Sequence, residues 1–176
     1  MIHIIHDLSN HYVTNLLKHS LSNITDLDIV KNYHPNYSNT PGNLFYILAE
    51  GRYQIGTYYV VEEEGKYVCS SGWNRYCEDA DTALLLTRAY ISELHRSKYL
   101  LSKYLLHLMI NETAQYKKVW ITCNEHNRSI YSAFERLHAG QPAGLFNKWP
   151  NIYKKFKPIG IKTIYNTQQY VVEYEK

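Results

Sequence analysis

Residues 93–98 read ELHRSK, between an apolar, strand-like run (ALLLTRAYIS, 83–92) and a long amphipathic stretch that begins near Tyr99. A helix starting there presents unpaired N–H groups and the positive end of its dipole, which together favour an anion such as phosphate. Arg96 and Lys98 add charge, and Ser97 and Ser102 add hydroxyl donors. Phosphate elbows are usually rich in glycine, and this one has none. Glycine is required only where φ is positive or a ligand touches Cα, so anion binding survives its loss if φ stays negative. A plain connection from strand to helix, or a narrowed site, fits the same six residues.

Other candidate chemistry is sparse. The cysteines Cys69, Cys77 and Cys123 are odd in number and lack C-x-x-C spacing, which supports neither a disulfide framework nor a zinc site. The nine histidines form no ligand helix; His3 and His6, three apart, fit surface positions better than a metal site. A formal charge of +3, from 19 basic and 16 acidic residues, is too mild to call for a nucleic-acid partner. Stacking by tyrosine beside KKFKPIGIK (154–162) is the one single-stranded nucleic-acid signal, and it is weak. The 18 tyrosines, with abundant Asn, Ile and Lys, match AT-rich codons, viral genomes included, better than any chemical need.

The elements that must position the elbow follow from periodicity. At 176 residues the chain is expected to form one domain spanning 1–176, with 45% apolar and 20% charged residues as in ordinary globular proteins. No apolar run is long enough to cross a membrane, and MIHIIHDLSNH lacks the pattern of a signal peptide, so a cytoplasmic protein is expected. MIHIIH reads as a first strand. After the candidate caps Asp7 and Ser9, Val13, Leu16, Leu17, Leu21 and Ile24 share one helical face. HPNYSNTPGN (34–43) is a loop; LFYILAE and YQIGTYYVVEE form a hairpin around Gly51-Arg52, and KYVCSSGW adds a third antiparallel strand.

ALLLTRAYIS reads as a central strand, buried on both faces. The helix after it carries Leu100, Leu101, Tyr104, Leu105, Leu108 and Met109 as a stripe, opposite Lys98, Ser102, Lys103 and Asn111. KKVWITC (117–123) is a second buried strand, parallel to the first across that helix. A further helix places Ile130, Ala133, Phe134 and Leu137 on one face; HAGQPAGLFNKWPN is read as irregular, and FKPIGIKTIYN with QYVVEYE as a closing antiparallel pair. The expected fold is α/β: a mixed, mostly antiparallel sheet with a central parallel pair flanked by helices. Its elbow lies at the carboxyl end of a central strand, the usual ligand position of open α/β sheets.

The residues and their order resemble the GNAT superfamily of acyl-CoA N-acyltransferases, most specifically over about 43–137. The family's elbow has the form V-x-P-x-x-[RQ]-x-x-G-x-[GA]. Its slots fall here on Ile91, Glu93, Arg96, Tyr99 and Leu101, so the two glycines are replaced. The later pattern N-x-x-A-x-x-x-Y-E-x-x-G-F falls on Asn127, Ile130, Phe134, Glu135, His138 and Ala139. Ile91, Arg96, Asn127 and Glu135 match, while Phe134 stands where the family often has a tyrosine that protonates the departing thiolate.

The resemblance implies acetyl-CoA or another acyl-CoA as co-substrate and an amine-bearing small molecule or peptide as acceptor, without fixing which. It assigns the pantetheine and carbonyl contacts to backbone near Tyr90, Ile91 and Ser92. The phosphates fall to Arg96, Ser97, Lys98, Tyr99, Leu100, Leu101 and Ser102, with Asn127 beside them. The family's frequent base position is Thr87, which cannot act as one. Glu93 is the first candidate and Glu62, Glu63 and Glu64 are others, although a solvated turn explains those three better than a base does. Tyr131, one turn before Phe134, is the candidate for a displaced acid, with ordinary packing as the alternative. Arg88, costly in a central strand unless paired, would meet an acceptor carboxylate or Glu93, or emerge at the sheet edge. GWNRY (72–76) would shape an acceptor pocket or form an exposed aromatic turn. A protein of this fold that has lost catalysis and only binds is the alternative function.

Overall fold

The computed structural model describes residues 1–5, 56–64, 66–91, 95, 99–164 and 166–176. The helix expected around 13–24, the loop 34–43, the strand 44–50 and the Gly51-Arg52 turn lie outside the described residues. So do Ser92, Glu93, Arg96, Ser97 and Lys98, and the side chains of Glu62, Thr87, Arg88 and Tyr90.

Strands β1 (Ile2–Ile5), β2 (Gly56–Glu63), β3 (Lys66–Arg75) and β4 (Thr82–Ile91) are successive antiparallel neighbours. Strand β5 (Lys118–Cys123) runs parallel to β4. Strands β6 (Phe156–Ile164) and β7 (Thr167–Tyr174) form the closing antiparallel pair, with β7 against β5. The order is β1-β2-β3-β4-β5-β7-β6, the mixed sheet with a central parallel pair that periodicity implies.

The parallel pair forces a crossover. It consists of a π-helical turn, Leu101–Leu105, that runs into helix α1 (Leu106–Glu112). Helix α2 (Arg128–His138) follows β5. The period of two along each strand then sorts the core. Ala83 and Leu85 of β4, with Val119 and Ile121 of β5, face the two helices; Leu84 and Trp120 face the other side with Tyr76, Ile164 and Val171. The crossover helix lies over β3 and β4, and α2 lies over β5, β7 and β6. The cleft between the helices therefore stands above the β4–β5 pair. Gly56 is required by close approach: a Cβ there would come within 2.2 Å of the Trp73 carbonyl oxygen.

Four expectations change. Of the two readings of GWNRY the exposed turn falls away, because β3 runs on past Trp73, its expected end, to Arg75. Trp73 is buried, its Nε1 donating to Glu112 Oε2 at 2.5 Å and its ring edge-on to Tyr116 at 5.8 Å. On α2, Tyr131, Phe134 and Leu137 are buried and Ile130 is 42% exposed. Turning the helix that way buries the larger Tyr131 ring, which packs on Tyr170 at 5.1 Å. Ser102, expected on the polar face, is buried, because the π-turn shifts the helical register by a residue. The stretch read as irregular contains a 3-10 turn, Gly144–Lys148, and a short helix α3 (Pro150–Tyr153) with Pro150 at its favoured first position. No helix of the described residues is long and apolar enough to cross a membrane.

Candidate functional site

Two strands that start as neighbours part before they end. The β4–β5 ladder runs from Thr82↔Lys118 to Leu85↔Ile121 and stops. Beyond it β4 stays with β3, through Gly72↔Thr87, Ser70↔Tyr90 and Cys69↔Ile91, while β5 stays with β7 through Cys123↔Tyr170. The cause is local. Leu86 has φ of 54°, and the β3–β4 register shifts on either side of Gly72. A bulge bends its strand and increases its twist, so β4 turns away from β5 at that residue. The opening is edged on one side by Tyr90 and Ile91, as expected for strands that expose backbone to an extended ligand.

At its upper end stands the start of the crossover helix. Tyr99 has φ of 58°, and its carbonyl accepts the Lys103 N–H at 2.9 Å. This position aligns with the first glycine of the family pattern. Negative φ, the condition under which the elbow dispenses with glycine, therefore does not hold at Tyr99: the left-handed backbone is kept with a tyrosine in it. Holding a side chain in that region costs about 1–2 kcal/mol, a strain that commonly collects at functional sites. The Lys148 ammonium lies 4.6 Å from the centre of the Tyr99 ring. Leu100 is only 1% exposed and points into the core, so only its backbone can serve a ligand. Leu101 packs partly on the same core. The Ser102 hydroxyl and the Tyr153 hydroxyl hydrogen-bond each other.

Across the cleft, Asn124 caps a 3-10 turn, Glu125–Asn127, by accepting the Asn127 N–H at 3.0 Å. That leaves the half-buried Asn127 side chain without a capping duty. Tyr131 is turned toward β6 and β7, and its hydroxyl accepts the Gly160 N–H at 3.0 Å. Phe134 lies in an aromatic cluster with Phe146, Tyr153 and Phe156, at centroid distances of 4.5, 5.9 and 6.0 Å. Burial raises the Tyr153 hydroxyl above its ordinary pKa, and the Ser102 bond works against that rise.

Of the hairpin carboxylates, Glu63 is tied to the site. It accepts the Tyr104 hydroxyl from the crossover helix at 2.8 Å, whereas Glu64 is exposed in the turn. Cys69 and Cys123, at the rims of the opening, have thiols pushed up to about 12, chiefly by burial. Neither is a thiolate near neutral pH, so a covalent cysteine step has no support here. No group of three or more His, Cys, Asp or Glu side chains suited to a metal ion occurs among the described residues.

An open parallel pair ending below a helix start, in this strand order, has solved counterparts. The chain has the GNAT fold. It superposes on ribosomal-protein-alanine N-acetyltransferase from Brucella melitensis with a TM-score of 0.58 at 13% identity, covering 99% of each chain. An N-acetyltransferase from Staphylococcus aureus Mu50 gives 0.52 at 14% identity, over 99% of this chain and 98% of that one. An aminoglycoside 6'-N-acetyltransferase complexed with coenzyme A gives 0.53 at 10% identity, over 98% and 95%. No family model and no curated protein matches the sequence.

The structure thus brings Tyr90, Ile91, Tyr99, Ser102 and Glu63 to one end of β4 and sets Tyr131 over β7. Sequence reasoning missed Phe146, Lys148 and Tyr153. Their one signal was Pro150, a helix-start residue inside a stretch read as irregular.

Proposed function

We propose that this GNAT-fold chain is an acyl-CoA-dependent N-acyltransferase, with acetyl-CoA as the first donor to test and an amine-bearing small molecule or peptide as acceptor. The observation that carries the reading is the end of the β4–β5 ladder at Leu85↔Ile121, below the Tyr99 helix start. A pantetheine arm carries amides able to pair with β4 backbone in such an opening. The elbow, with Arg96 and Lys98, would face the pyrophosphate.

In the reaction the acceptor nitrogen attacks the thioester carbonyl carbon, the C–S bond breaks, and the nitrogen gives up a proton. Glu93, or Glu63 beside the crossover helix, is the proposed base that first takes a proton from the ammonium. Backbone N–H groups near Tyr90–Ser92 would polarise the carbonyl. Tyr131 is the proposed donor to the thiolate: accepting the Gly160 N–H leaves the hydroxyl its own proton to give. Departure of coenzyme A as a free thiolate is the alternative to that step. The coenzyme A complex and the aminoglycoside acetyltransferase among the similar folds support the donor and the amine class. A cytoplasmic setting goes with this reading, and neither nucleic acid nor a membrane is required by it.

A binding-only protein is favoured by one observation, the core position of Phe134 where the family's acid would stand. Two measurements separate the readings. Acetyl-CoA at about a hundred times its dissociation constant stabilises a folded state by roughly 2.7 kcal/mol, or several degrees in melting temperature. Thiol release from acetyl-CoA over an amine panel then reports transfer. A thermal shift without release would establish the binding-only alternative, and no shift would refute both.

A further inference from the structure

The segment between α2 and β6 reaches across the cleft and occupies the helix start. Phe146 stacks on Tyr153 at 4.3 Å with the rings 24° apart, and both rest on Phe134 of α2. From that stack Tyr153 extends its hydroxyl to Ser102 in the first turn of the crossover helix. Lys148 lays its ammonium over the ring of Tyr99. Both contacts fall on residues that the acyl-CoA reading gives to the ligand.

Its attachment runs through a row of apolar side chains packed on the core. Ala143 and Tyr153 are buried and Phe146, Trp149 and Ile152 are half-buried, while the rest is largely exposed, with Leu145 at 46%. At the α2 side Gly140 and Gly144 have φ of 70° and 58°, with nothing within 4 Å of a would-be Cβ. Residues of that kind absorb the backbone change of a hinge. Occupied groups, an aromatic anchor and the left-handed Gly144 make a device with two positions; Gly140 instead closes α2, its N–H donating to the Leu137 carbonyl at 3.2 Å and the Gln141 N–H to that of Arg136 at 2.8 Å.

We propose that Gly144–Tyr153 is a strap that closes the cofactor cleft, latched by the Tyr153–Ser102 hydroxyl bond, and that acyl-CoA enters only when it lifts. This rests on the acyl-CoA reading above. Strap and ligand compete for Ser102 and for the face of Tyr99, so apparent affinity is the intrinsic affinity multiplied by the fraction of molecules with the strap raised.

Tyr153→Phe deletes the latch and keeps the ring in its stack, so the fold is retained. Coenzyme A binding, measured by titration calorimetry, should tighten about threefold to tenfold, the value of one hydrogen bond. Deuterium uptake over 143–154 in the unliganded variant should rise as well. Phe146→Ala, which loosens the stack, should move both quantities the same way. Unchanged or weaker binding in Tyr153→Phe would overturn the strap and make the segment a fixed wall, with the acyl-CoA reading intact. No binding by the wild type or either variant would instead refute the acyl-CoA reading, and the strap's gating role with it.

Discussion

The two ends of the β4–β5 pair are built from the same strands and behave in opposite ways. At the amino end, Asp79 accepts the Thr82 hydroxyl at 2.8 Å, the Asp81 N–H at 3.0 Å and the Lys118 ammonium at 3.0 Å. Asp81 takes Lys117 at 2.7 Å, and its carbonyl takes the Lys118 N–H at 3.1 Å. Above these bonds Ala83, Leu84, Leu85, Val119, Trp120 and Ile121 fill both faces. At the carboxyl end the ladder stops, and two large side chains, Leu86 and Tyr99, sit at positive φ. One end follows every local preference of a buried parallel pair and the other breaks several. The difference teaches that stability is concentrated where the strands pair, and that the strain lies where they open.

Removing packing from the closed end should have the largest effect. Leu85→Ala, at a site 2% exposed, should lower the unfolding free energy by about 2–5 kcal/mol in urea denaturation. A loss below about 1 kcal/mol would mean that the pair's base is not the stable end.

The open end should respond with the opposite sign. Tyr99→Gly relieves a left-handed tyrosine and should stabilise by about 1 kcal/mol, a rise of roughly 2–4 °C in melting temperature. Were φ negative there, glycine would instead cost about 0.5–1 kcal/mol. The sign of the shift therefore reads the backbone directly.

Much of the closed end was legible in the sequence. Continuous apolar runs at 83–86 and 119–121 mark strands buried on both faces, and the leucine stripe after the elbow marks the crossover between them. The open end was legible only as a location. A left-handed φ at Tyr99 cannot be read from residue type, because tyrosine ordinarily avoids it. Ser102 looked polar and exposed since a register shift by a π-turn leaves no periodic signature. GWNRY read equally as a pocket wall or a turn because the polar partner of Trp73, Glu112, lies far along the chain. Ile130 fitted the apolar spacing, and tertiary contact with Tyr170 chose Tyr131 in its place.

Asp79 offers a smaller, pH-dependent contrast. Hydrogen bonds from Thr82, Lys118 and the Asp81 amide hold its carboxyl at about 2, below the unfolded value of about 3.9. Its contribution is therefore present above about pH 4 and lost as pH falls toward 2. Asp79→Asn should melt lower than the wild type at pH 7, and the gap should close between pH 4 and 2. A gap independent of pH would assign the effect to geometry rather than charge.

The thiols give the smallest test. At pH 8 a disulfide reagent should label exposed Cys77 quickly and leave Cys69 and Cys123 slow, since burial holds both near 12. Fast labelling of Cys123 would show that the opening extends further along β5 than the structure has it.

Hydrogen exchange with and without saturating acetyl-CoA tests the central claim most directly, because it reads β4 segment by segment. Protection should increase over Leu86–Ile91 and at the start of the crossover helix, with Thr82–Leu85, already laddered to β5, unchanged. Equal protection along all of β4, or none in the presence of ligand, would contradict the assignment of the opening as the donor site.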